Sequence, residues 1–105
     1  MLFMATILAV AVPQDACVAI PSGATLADAE AAGDAWYIGN DPITIEKKTY
    51  VKYGLPRVLR KGDVALLTSY KGAAVYAEAG NPQREVLYVL TNLAGCEFQP
   101  YQIRE

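Results

Sequence analysis

The sequence contains no histidine and only two cysteines. Without histidine there is no Ser-His-Asp or Cys-His nucleophile system, no imidazole-ligated metal site, and no use of the commonest general base. Two cysteines cannot build a four-cysteine zinc site, and the distance between Cys17 and Cys96 excludes a CxxC redox pair. Neither charge sign dominates: 9 Lys plus Arg face 11 Asp plus Glu, a net charge of −2. That balance does not call for nucleic acid or an acidic substrate. There is no P-loop, GxGxxG or EF-hand pattern. The two serines, Ser22 and Ser69, have no nucleophile context, and the carboxylates are scattered without acid–base spacing. The composition points away from an enzyme, and neither cofactor nor metal is expected.

What is present is a chain of 105 residues, 53% apolar, with no repeat, linker or low-complexity run. That is one domain with enough apolar surface for a core. Alanine supplies much of the apolar fraction, so the core leans on few large side chains.

Residues Leu2 to Val12 are apolar or small, with Thr6 the only polar member. The run is too short to span a bilayer, which takes about 20 residues, so no integral membrane protein is expected. It fits the hydrophobic region of a signal peptide, with Ala9-Val10-Ala11 as a small-x-small cleavage site. Residues 1–11 are then a signal peptide or hydrophobic N-terminal segment, and 12–105 form a single β-rich domain. The alternative is a cytoplasmic protein in which Thr6 to Val12 is a core strand. In an oxidising compartment, Cys17 and Cys96 pair as a structural disulfide. In the cytoplasm they would be free buried thiols.

Thr25 is an N-cap with Asp28 three residues on, which predicts one short N-terminal helix stopped at Gly33. Ala35 to Ile38 is expected as a short strand. From Ile43 to Tyr53 the pattern alternates, with Ile43, Ile45, Val51 and Tyr53 on one side and Thr44, Glu46, Lys48, Tyr50 and Lys52 on the other. Lys47 interrupts it, marking a strand end, bulge or turn near Lys47-Lys48. Val64 to Tyr70 and Ala73 to Glu78 flank Lys71-Gly72, a hairpin signal. The stretch 82–94 carries both a helical apolar face and a dense set of β-formers, and strand is favoured. Pro100 then confines the last strand to an edge, or breaks it. The fold class is mainly β, or α+β if 82–94 is helical.

Leu59-Arg60-Lys61-Gly62-Asp63-Val64, with the hairpin at 70–76, resembles bacterial SH3-like domains: a leucine, a Lys-Gly pair, a strand and an aromatic-bearing hairpin. Val75-Tyr76 stands where that family usually has a tryptophan. The resemblance covers about half the chain. It implies a small SH3-like barrel, with a two-layer sheet as the other architecture, and a role in binding peptides, proteins or cell-wall polymers.

Six of the nine cations, Lys47, Lys48, Lys52, Arg57, Arg60 and Lys61, fall within fifteen residues and interleave with Tyr50 and Tyr53. Positive charge beside flat aromatics suits anionic polymers and sugars, and lysines also guard edge strands. The expected contact surface is Lys48, Tyr50, Lys52, Tyr53, Arg57, Arg60 and Lys61. In an exported protein nucleic acid falls away, leaving an envelope glycan or protein as partner. A periplasmic or secreted binding module follows. The alternatives are a secreted inhibitor or accessory subunit, with Gly39 to Pro42 and Gly80 to Arg84 as plugging loops, and a cytoplasmic domain. The tyrosines form either a binding patch or cross-strand packing.

Overall fold

A computed structural model describes residues 16–104; the segment on which the export reading rests lies outside the described residues. The fold is mainly β. Two helices of one turn each, α1 (Leu26–Ala29) and α2 (Ala35–Ile38), precede seven strands. These are β1 (Ile43–Ile45), β2 (Lys48–Lys52), β3 (Arg57–Val58), β4 (Val64–Tyr70), β5 (Ala73–Glu78), β6 (Val86–Asn92) and β7 (Glu97–Ile103). All pairings are antiparallel, in the order β1-β2-β7-β6-β5-β4. β3 pairs β7 beyond the end of β2, and the sheet curls into a half-barrel.

The β4–β5 hairpin forms as expected, closed by Lys71 and Gly72 at φ +50° and +92°. Positive φ at both central residues gives the turn whose twist matches the strands. The stretch 86–92 is strand, so the chain is not α+β. β-branched and aromatic residues win there because β5 and β7 cover both edges of β6.

The sheet is covered on both faces. One face carries Tyr76, Tyr88, Leu90 and Phe98, against Cys17, Val18, Ile20, Leu26 and Ala29. The other carries Val75, Leu87, Val89 and Tyr101 with Ile43 and Tyr50, against Ala31, Trp36 and Tyr37. This explains why Ala73 to Tyr76 and Leu87 to Leu90 are continuously apolar rather than alternating. The segment 16–38 wraps from the first face to the second. Its crossing is fixed where Ala31 N donates to Leu90 O and Leu93 N donates to the Glu30 carboxylate. The Cys17–Cys96 disulfide ties the start of that wrap to the β6–β7 turn, with Cα atoms 6.1 Å apart.

Four expectations are corrected. The first helix is one turn long: Thr25 caps it, accepting from Asp28 N at 3.1 Å, but Glu30 is already extended because the chain leaves to cross the sheet. Ala35 to Ile38 is helix, not strand. The β-preference of Trp, Tyr and Ile needs a partner strand, and here one turn between Asp34 and Gly39 seats Trp36 against the sheet instead.

Residues 43–52 are a hairpin turning at Glu46-Lys47, with φ +52° and +68°. The two-residue turn reverses the parity of everything after it. Tyr50 stands opposite Ile43 and faces the core, while Tyr53 is exposed. Finally, Pro100 lies in the central strand, not at an edge. Its carbonyl accepts from Tyr53 N, so the side lacking an N–H faces the break between β2 and β3, where no ladder bond is lost.

Candidate binding surface around β3

The parity reversal divides the basic cluster. Tyr50 is 2% exposed and donates its hydroxyl to Arg84 O at 2.8 Å. Burial raises its pKa; Glu46 adds to the rise and Arg84 opposes it. Lys52 is half-buried, donates to Tyr37 O at 2.6 Å and stands 3.7 Å above the Tyr37 ring. Burial lowers its pKa. Tyr50 and Lys52 therefore hold structure together and do not form the exposed strand face expected for them. Lys48 is exposed but sits past the Ile103 end of β7, whereas Arg57 pairs with Phe98 near the other end.

What gathers around β3 is Tyr53, Arg57, Arg60 and Lys61, all exposed. Two residues that the sequence reading passed over join them: Leu55, 81% exposed, and Val58, 74% exposed. Two open apolar side chains three residues apart, with charges about them, have the make-up of an interaction patch.

The stretch is held firmly. Gln99 is 2% exposed, donates to Gly54 O at 3.0 Å and Pro100 O at 3.1 Å, and accepts from the Tyr37 hydroxyl at 3.2 Å. The β2–β3 loop thus hangs from a buried amide on the central strand. Burial, with Glu97 nearby, raises the Tyr37 pKa. Downstream, Leu59 N donates to Cys96 O. Arg60 N donates to the Asp63 carboxylate at 2.8 Å, closing the Arg60–Asp63 turn.

Beside β3 lies a cleft of about 330 Å³, with Leu59, Val64 and Tyr88 among its walls and Arg57, Asp63 and Glu78 supplying charge. Strand register puts Arg57, Val64, Glu78 and Tyr88 on the same face as Phe98 and Tyr76. Arg57 Nη1 donates to the Tyr88 hydroxyl at 3.5 Å. Glu78 and Tyr88 carry no sequence signal for this site, because only the curl of the sheet brings β5 and β6 to β3. Among the described residues, no three acidic or cysteine side chains gather as a metal set, and no helix is long and apolar enough to cross a membrane.

Tyr50, Tyr76, Tyr88 and Tyr101 are buried, so most of the tyrosine content is packing rather than surface. Of the two loops considered as plugs, Gly39 to Pro42 is exposed, and Gly80 to Arg84 is tied to β1–β2 by Arg84 Nη1 donating to both Glu46 oxygens at 2.8 and 3.0 Å. No family model, curated protein or solved structure matches the chain.

Proposed function

We propose that this chain is an exported, non-catalytic binding module of the cell envelope, periplasmic or secreted. Its contact surface is the stretch from Tyr53 to Lys61, and its partner is a protein that presents acidic side chains beside apolar ones. The observation that carries this is the exposure of Leu55 and Val58 on a stretch pinned to the central strand, alongside Arg57, Arg60 and Lys61. Apolar anchors rimmed by charge are the composition of a protein-binding patch. The disulfide supports an oxidising compartment. The resemblance of residues 59–76 to SH3-like domains supports a binding role. An envelope glycan is the second reading, favoured by Tyr53, whose half-exposed ring offers a stacking face.

The test is crosslinking in cells, comparing the natural chain with Leu55→Ser, Arg57→Ser and Val58→Ser combined. These side chains are exposed, so folding is expected to be unchanged. Loss of one stoichiometric crosslinked protein supports the proposal. A partner that survives all three changes overturns the surface assignment, and recovery on insoluble cell wall instead favours the glycan. Intact mass from native cells tests export separately. The expected mass lacks the first ~11 residues and rises by about two daltons on reduction. A full-length mass with free thiols overturns export and brings the cytoplasmic alternative forward.

A further inference from the structure

The two ends of the sheet are unequal. β1 has three residues, bounded by Pro42 and the Glu46-Lys47 turn. A short strand between a proline and a turn is a blunted edge. β4 has seven residues, Val64 to Tyr70, with no charge and no proline. Among the described residues nothing pairs with its outer side. Ala65, Leu66 and Ser69 are exposed along it. An uncharged edge of this length is a template for another strand.

The outward backbone groups can be placed from the hydrogen bonds. Ala79 N donates to Asp63 O, so the backbone of Asp63 points into the sheet. Alternation then turns Val64 and Leu66 outward. Counted from the other end, where Tyr70 and Ala73 close the hairpin, Ser69 is outward. The bulge between Leu66 and Thr68 reconciles the two counts. It also centres the outward set between Leu67 and Thr68. A reversed second copy therefore meets the edge group for group, with Leu66 opposite the partner's Ser69. The charges agree with this pairing. The neutral run is preceded by Asp63 and followed by Lys71, so reversal sets Lys71 opposite the partner's Val64, one residue from the partner's Asp63, and opposite charges lie near each other at both ends.

We propose that β4 is a docking edge for a second copy of this chain, the two β4 strands pairing antiparallel about a two-fold axis. The interface is isologous and closes as a dimer, leaving the blunted β1 edges outermost. It lies on strand β4 and is independent of the partner surface at Tyr53 to Lys61.

Sedimentation equilibrium of the full chain with its disulfide intact, from about 1 μM to about 1 mM, tests it. The natural protein is expected to dimerise reversibly across that range. Leu66→Lys is expected to raise the dissociation constant about tenfold or more. Lys71→Glu, which sets like charges together at both ends, is expected to do the same, more strongly at low salt. Ser69→Pro, which removes an outward N–H, provides a variant independent of charge. Unchanged melting of the dilute variants separates loss of pairing from loss of fold. A monomer at the highest concentration overturns the proposal, as does a dimer indifferent to these variants. Slow amide exchange at Leu66 and Ser69 in a monomer also overturns it, because the chain itself would then cover the edge.

Discussion

At the residue scale, the buried tyrosines separate by what their hydroxyls meet. Tyr76 donates to Ala19 O at 2.6 Å, whereas the Tyr101 hydroxyl is buried with no hydrogen-bond partner among the described residues. Tyr76→Phe is expected to cost about 1–2 kcal/mol, because it leaves a carbonyl unpaired, while Tyr101→Phe is neutral or stabilises by about 1 kcal/mol. Urea denaturation of the two variants checks the contrast, and equal losses would contradict it. Burial raises the pKa of Tyr37, Tyr50, Tyr76 and Tyr101 above the ordinary value of 10.0. In the folded state these phenols keep their protons at pH values where the unfolded chain loses them. Their stabilising contribution is therefore full below pH 10 and falls as pH climbs beyond it. Lys52, with its lowered pKa, works in the other direction and is one group against four. The urea midpoint is expected to fall between pH 9 and pH 11, with the tyrosinate signals of Tyr76 and Tyr101 appearing as the protein unfolds. None of this partition was legible in the sequence, where seven tyrosines look alike. Burial depends on strand neighbours the sequence does not name.

At the element scale, the turns decide most of what was and was not foreseen. Lys71-Gly72 carries its own glycine, and the β4–β5 hairpin was legible. Glu46-Lys47 adopts the same kind of turn with no glycine, so the interruption at Lys47 was legible but not that the strand reverses there. The parity set by that reversal sends Tyr50 to the core and leaves Tyr53 in solvent, which takes Tyr50 out of the expected contact surface. Lys47 holds φ +68°, a conformation that costs residues with a Cβ roughly 1–2 kcal/mol. Lys47→Gly is expected to stabilise the protein by about 0.5–1 kcal/mol, once the greater entropy of glycine in the unfolded chain is counted. A rise in melting temperature checks it; a fall would mean Lys47 contributes more than a backbone bend. Pro100 was misplaced for a related reason. Its cost depends on which side of the strand lacks a partner, and that is set by the gap between β2 and β3.

At the scale of the whole molecule, the mainly-β class, the β4–β5 hairpin and the cysteine pairing were legible, because each rests on local composition or on counting. The wrap of residues 16–38 around both faces was not, since its anchors, Glu30 to Leu93 and Ala31 to Leu90, are distant in sequence. The disulfide spans 79 residues and in the chain-entropy model contributes about 4.5 kcal/mol. Reduction is expected to lower the melting temperature by roughly 20 °C. It should also expose the face carrying Tyr76 and Phe98, seen as binding of a hydrophobic dye. A reduced protein that melts within a few degrees of the oxidised one would show that packing alone holds the wrap.

The strand that joins the two halves of the sheet, β7, is also the last strand of the described chain. During synthesis, β1–β2 and β4–β5 emerge as separate hairpins with no strand yet joining them. Cys17 emerges early and waits unpaired through almost eighty residues of further growth. The β4–β5–β6 meander can pair as it emerges, but its union with β1–β2 waits for β7, which lies between them. Such a chain is expected to fold slowly for its size. While it waits, its apolar hairpins and its open thiol are exposed to whatever chaperone and oxidant the compartment supplies.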